Sequence, residues 1–189
     1  NPANILRICD SLRLNDWASD DIRIFQNAVS DVHGDEMLLF APKNPGQGFL
    51  KEIDPENSKT DEHQAKTKLV SLDKWAEEHG LFDNDKFSVD VLKVDVEGRE
   101  PQVFMGASKL LNSGVVRNVL TECRRFGRPN VKEMMTVLFD AGFSLREPSC
   151  PSIHARKSPK ENAESLIAWA KTTLGPNSMK TMDLWWEKT

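Results

Sequence analysis

The chain has 189 residues, 39% of them hydrophobic and 29% charged, with 25 Lys+Arg against 29 Asp+Glu and a net charge of −4. That length suits one compact domain with an adequate core and argues against wholesale disorder. No run approaches the ~18 apolar residues of a membrane span, no basic-then-apolar leader opens the chain, and the mildly acidic, interspersed charge argues against a general nucleic-acid binder.

Asn1-Pro2 reads as a helix entrance, with Pro at the first helical position where its missing N–H costs nothing. Ile5, Cys9 and Leu12 recur at i, i+4, i+7, so an amphipathic helix is expected to about Leu14. Residues 22–29 are rich in β-branched and aromatic side chains and read as a strand; Asp31 to Gly34 make a turn, and 36–40 a second strand. From 41 to 66, Pro42, Pro45, Gly46, Gly48 and Pro55 mark a long irregular excursion, the length at which a loop is either functional or a tolerated insertion. A short strand at 67–71 precedes a helix to about His79, with Asp73 well placed in its first turn.

The strongest strand is 87–96. Pro101 begins a helix that stops near Asn112-Ser113-Gly114, and 115–122 is a strand. A helix at 131–141 ended by Gly142, a strand at 143–146, a Pro/Ser-rich loop at 147–159, a helix at 161–174 and a final strand at 182–186 complete the chain. Trp185 and Trp186 put one indole on each face of that strand. Strands alternating with helices signal an α/β fold with a parallel, doubly wound sheet, in which ligands bind at the carboxyl ends of strands. The three cysteines, Cys9, Cys123 and Cys150, form no C-x-x-C pair, which favours a reducing, cytoplasmic compartment.

The strand ends carry the chemistry. With period two, Lys93, Asp95 and Glu97 share one face if the strand persists to Glu97, and Gly98 follows. Central parallel strands are apolar on both faces, so three charges here point to a site in which Lys93 offsets a carboxylate. The alternative is a salt bridge at a strand exit, with Gly98 supplying a tight turn. Glu122 is a second carboxylate where a strand runs out; with Asp95 and Glu97 it makes an oxygen set of the kind that holds Mg²⁺ or Ca²⁺, or else it pairs with Arg124 or Arg125. Arg124 to Arg128 read as an anion grip or a solvated loop. Gly46-x-Gly48 neither follows a strand nor opens a helix, so it is not a dinucleotide fingerprint, and the four histidines are scattered.

Lys93-Val94-Asp95-Val96-Glu97-Gly98-Arg99-Glu100, with Val103-Phe104-Met105-Gly106-Ala107 after it, resembles the signature of the FkbM-type methyltransferase family. Asn1-Pro2 with Asn15, Asn27 to Asp31 with Gly34, Val70-Ser71-Leu72-Asp73 and Glu122 fit the same order, so the resemblance covers most of 1–146 and leaves 147–189 divergent. It implies a Rossmann-like sheet of the class I methyltransferase type, of order 3-2-1-4-5-7-6. It also implies S-adenosylmethionine as cofactor and a hydroxyl acceptor on a sugar, lipid-linked or natural-product molecule. By that resemblance Asp95 lies beside the methyl group, Glu97 orients or deprotonates the acceptor with Lys93 nearby, Asn27, Ala28 and Gly98 line the cofactor, and Glu122 and Arg124 face the acceptor.

The family's first two strands, its glycine-rich loop and the acid that binds the ribose precede the position of Asn1, so the chain is expected to be the C-terminal part of a single methyltransferase domain with a sheet that is not continuous. A non-catalytic scaffold and a metal-dependent variant are the rival readings. No nucleic-acid partner and no metal are expected.

Overall fold

The computed structural model describes residues 2–17, 21–40, 49–51, 64–83, 87–124, 129–146, 162–174 and 181–189. It is a mixed α/β structure of two units, Asn1–Val70 and Ser71–Thr189, each with a four-stranded sheet.

The first unit holds helix α1 (Pro2–Leu14) and strands β1 (Ala28–Val29), β2 (Glu36–Phe40), β3 (Phe49–Lys51) and β4 (Gln64–Val70), in sheet order β1-β4-β2-β3. Helix α1 forms where the proline and the apolar period place it; Asn1 lies outside the described residues. The strand expected over 22–29 shrinks to its last two residues, which pair parallel with Leu69 and Val70. A β-branched run becomes a strand only where a neighbour takes its hydrogen bonds, and β4 reaches this one only at its end. The irregular stretch expected over 41–66 is corrected in part. It contains β3, antiparallel to β2, and the start of β4, whose alternation (Lys66 and Lys68 exposed, Leu69 buried) was masked by polar composition. Residues 41–48, including the Gly46-x-Gly48 pair, and 52–63 lie outside the described residues.

The second unit runs α2 (Leu72–Glu78), β5 (Leu92–Val94), α3 (Glu100–Met105), α4 (Ser108–Asn112), β6 (Asn118–Arg124), α5 (Pro129–Asp140), β7 (Phe143–Leu145), α6 (Ala163–Leu174) and β8 (Thr181–Lys188). Its sheet order is β5-β6-β8-β7, with β5 and β6 parallel and β8 antiparallel to both its neighbours. Three expectations need correction. The strand expected over 87–96 is β5 plus a lone bridge from Val89 to Val116, so Asp95 and Glu97 lie beyond it. The helix expected from Pro101 to 112 is two helices, parted at Gly106-Ala107 because Asp73 caps the second one, as described below. The strand expected at 115–122 is Asn118–Arg124, its start set by where β8 begins to pair.

The core of this unit follows from periodicity. Val131, Met134, Met135 and Leu138 make the buried stripe of α5. Val119, Thr121 and Cys123 alternate inward on β6, and Leu184 and Trp186 on β8. Trp186 is fully buried and meets the Phe139 ring edge-on, centroids 5.2 Å apart at 85°, a geometry worth about 0.5–1.5 kcal/mol beyond the area it buries. Trp185 points to the opposite, half-exposed face, where its indole N–H donates to Asn118 Oδ1 at 3.0 Å, so the pair divides across the strand as its period requires. No helix among the described residues is long and apolar enough to cross a membrane.

Candidate active site at the end of β5

Val94 is the last paired residue of β5, buried and opposite Thr121 of β6. Asp95 follows at once, and Lys93 Nζ lies 3.4 Å from Asp95 Oδ2, with side chains 64% and 45% exposed. This is the ion pair that both readings of the strand exit share. Solvent holds its worth to within about 1 kcal/mol, so the pair orients Asp95 more than it stabilises the fold.

The chain then reverses. Arg99 N–H donates to the Val96 carbonyl at 3.4 Å, closing a turn whose two central residues, Glu97 (φ +55°) and Gly98 (φ +97°), both sit at positive φ. That sign pattern belongs to type I′ turns, which favour Asn or Asp followed by Gly. Gly98 takes it freely; a Cβ there would meet open space, so backbone preference alone demands glycine. Glu97 does not, and of the described non-glycine residues only Asp16 shares its positive φ. Strained backbone of this kind gathers at functional sites.

One side chain holds the turn. Glu100, 3% exposed at the start of α3, turns its carboxylate back so that Oε1 accepts the backbone N–H groups of both Val96 and Gly98, each at 3.1 Å. Pro101 next to it lacks an N–H, so the carboxylate is left to the turn rather than drawn into the helix. Glu100 has no role in the sequence reading beyond membership of the motif. The available signal was a carboxylate in the first turn of a helix, just after a Glu-Gly pair.

Glu122 sits on β6, half-buried and directly opposite Asp183 of β8. Continuing the register Val94–Thr121 by one residue sets Asp95 alongside Glu122 at the same end of the sheet. Asp95, Glu97 and Glu122 nonetheless do not gather into a metal-holding group, and no group of three or more His, Cys, Asp or Glu does so among the described residues. Beside Glu122, burial pushes the Cys123 thiol up to about 12, and the Glu100 and Glu122 carboxylates add to that shift. Such a thiol is no nucleophile near neutral pH. Arg124 closes β6, and Arg125 to Arg128 lie outside the described residues.

Asn27 and Ala28 stand in the first unit, at the entrance to β1: Asn27 is exposed, Ala28 half-buried. The strand exit after them is fixed by Ser30, buried, whose N–H donates to the Val70 carbonyl and whose hydroxyl donates to Asp31 Oδ1.

A long-range contact fixes the helices that follow the turn. Asp73 Oδ1 accepts the Leu110 N–H at 2.8 Å, Asp73 Oδ2 accepts the Lys109 N–H at 2.9 Å and the Ser108 hydroxyl at 3.3 Å, and the Asp73 N–H donates to the Gly106 carbonyl. Asp73 thereby caps α4 and fixes the break after α3, the helix that carries Glu100.

Comparison with known proteins gives one result: the family model of the methyltransferase FkbM domain matches residues 1–145. No curated protein and no solved structure matches the chain. With more than half its length matched, running through the strand exit at Asp95 and the turn held by Glu100, the chain belongs to the FkbM methyltransferase family.

Proposed function

We propose that this chain is part of an S-adenosylmethionine-dependent O-methyltransferase domain acting on a hydroxyl of a sugar, lipid-linked or natural-product acceptor. The observation that carries the reading is the constellation at the end of β5: two carboxylates in three residues, one paired with Lys93, the other on a strained turn. The family match spans both units, which supports reading them as parts of one domain, and β5-β6-β8-β7 follows the 4-5-7-6 run of the class I methyltransferase sheet.

The donor chemistry fits the cofactor. A carboxylate at a strand's carboxyl end suits a sulfonium cation, and the backbone about Gly98 leaves room for close approach. When bound, S-adenosylmethionine supplies an electrophilic methyl group. Asp95 is assigned to the cofactor side, beside that methyl, and Glu97 to the acceptor hydroxyl, orienting it and taking its proton, an effect typically worth about 10²–10⁴-fold. Lys93 keeps Asp95 aimed. Gly98, Asn27 and Ala28 are assigned to the cofactor, Glu122 and Arg124 to the acceptor. Positioning of this kind supplies up to ~7–11 kcal/mol of barrier lowering.

Isothermal titration calorimetry of the complete domain with S-adenosylhomocysteine tests the reading. Heat of binding at micromolar concentration is expected. Its absence, in a folded sample, would leave a scaffold that has kept the sheet without the chemistry.

A further inference from the structure

We propose that Glu100 is a positioning residue: its buried carboxylate holds the 96–99 turn in the conformation that presents Asp95 and Glu97. The inference rests on the function proposed above and deepens it. Three observations combine. Glu97 occupies a backbone region that a glutamate avoids, so something must hold it there. Glu100 Oε1 takes the N–H groups on both sides of Glu97, those of Val96 and Gly98, and no other described side chain bonds to either. Glu100 is itself buried, and it sits on the helix whose end Asp73 fixes, so the acceptor oxygen is placed by packing rather than by solvent. Pre-organisation of this sort is what a site needs when the reacting groups must be aligned before the substrate arrives.

Reach, not charge, is then the property that matters. Glu100→Gln keeps the acceptor oxygen at the same distance and loses the charge. Glu100→Asp keeps the charge and the first-turn carboxylate of α3 but falls one methylene short. The two variants, each in the complete domain, are compared with the parent by amide hydrogen exchange at Val96 and Gly98 and by S-adenosylhomocysteine affinity. Loss of the hydrogen bonds in Glu100→Asp should speed exchange at both amides by about tenfold or more, and weaken binding by a similar factor, with Glu100→Gln nearer the parent in both.

A purely electrostatic or helix-stabilising role gives the reverse ranking, Asp near the parent and Gln damaged, and that result overturns the proposal. Unchanged exchange in both variants overturns it as well, as does loss of amide protection with undiminished affinity. A complete parent domain that binds no S-adenosylhomocysteine sinks the proposed function and with it the positioning role, and the exchange data then report only whether Glu100 holds the turn.

Discussion

The carboxylate of Asp73 caps the first turn of a helix that starts thirty-five residues later, accepting the N–H groups of Lys109 and Leu110 through its two oxygens. Capping interactions are usually made by the residue just before the helix; here Ala107 stands there and offers nothing. Asp73→Ala leaves two backbone donors without their acceptor and should destabilise the chain by about 1–2 kcal/mol, read as a fall in the urea midpoint with unchanged slope. Asp73→Asn, which retains one acceptor oxygen, should lose less. An unchanged midpoint in Asp73→Ala would show that water replaces the cap.

At Glu97 stability and function should part. Glu97→Gly relieves a positive φ that an ordinary L-residue holds at a cost of about 1–2 kcal/mol, part of which is offset by glycine's greater unfolded-chain entropy. The net expectation is a gain of up to about 1 kcal/mol in unfolding free energy together with loss of the carboxylate and of methyl transfer. Gly98→Ala should do the opposite to stability, because φ +97° is strained for any side chain. A Glu97→Gly chain less stable than the parent would mean that contacts of the glutamate outweigh its backbone strain.

Some of this was legible in sequence and some was not, and the division is physical. The Lys93–Asp95 pair, the turn at Gly98 and the opposed faces of Trp185 and Trp186 are local, set by spacing along one or two turns of chain. What escaped depends on partners remote in sequence. Residues 22–27 have strand composition but gain no ladder; Leu50 lies in a strand because Leu39 is opposite; α3 and α4 part where Asp73 reaches in. Glu100 is less legible for a subtler reason: a doubly wound sheet points to carboxylates where strands end, and this one reaches back to the turn from the next helix.

Cys123 should be inert in the folded chain and should set an alkaline limit to stability. Its thiol keeps the proton up to about 12 in the fold against 9.0 unfolded, chiefly through burial. The folded state therefore binds the extra proton between those values. The associated stability is intact below pH 9 and is lost as pH rises toward 12. The lysines titrate in the same range, so the share that belongs to Cys123 is read as the difference between the parent and Cys123→Ala. Iodoacetamide at pH 8 should modify Cys9, which is exposed, and spare Cys123 until urea unfolds the chain. Cys123→Ala should flatten the alkaline fall. Rapid native labelling of the Cys123 peptide would contradict its burial.

An acid limb is expected from Glu77. Hydrogen bonds from Lys109 and then Lys74 hold its carboxyl below the ordinary 4.5, tying α2 to α4. A depressed carboxyl contributes stability that is present above pH 4.5 and disappears as pH falls through the folded value. Glu77→Gln should remove that part of the pH dependence below 4.5, and added salt should mimic it, since both partners are solvent-exposed. A pH–stability profile that Glu77→Gln leaves unaltered would show that the pair carries nothing.

Asp95→Asn gives the sharpest separation between a structural and a chemical role. The ion pair it breaks with Lys93 is exposed on both sides, so unfolding free energy should shift by no more than about 0.5 kcal/mol. If Asp95 stands beside the transferring methyl, the same change should lower methyl transfer from S-adenosylmethionine to a panel of glycosides by about 10²-fold in the complete domain, as a loss of positioning does. Lys93→Met should have a smaller effect in the same direction, because it leaves the carboxylate in place without its orienting partner. Stability is followed by urea denaturation and transfer by the labelled methyl group, on one preparation. Full turnover in Asp95→Asn with normal S-adenosylhomocysteine affinity would remove Asp95 from the chemistry and leave Glu97, on its strained turn, as the only carboxylate of the motif positioned to act on the acceptor.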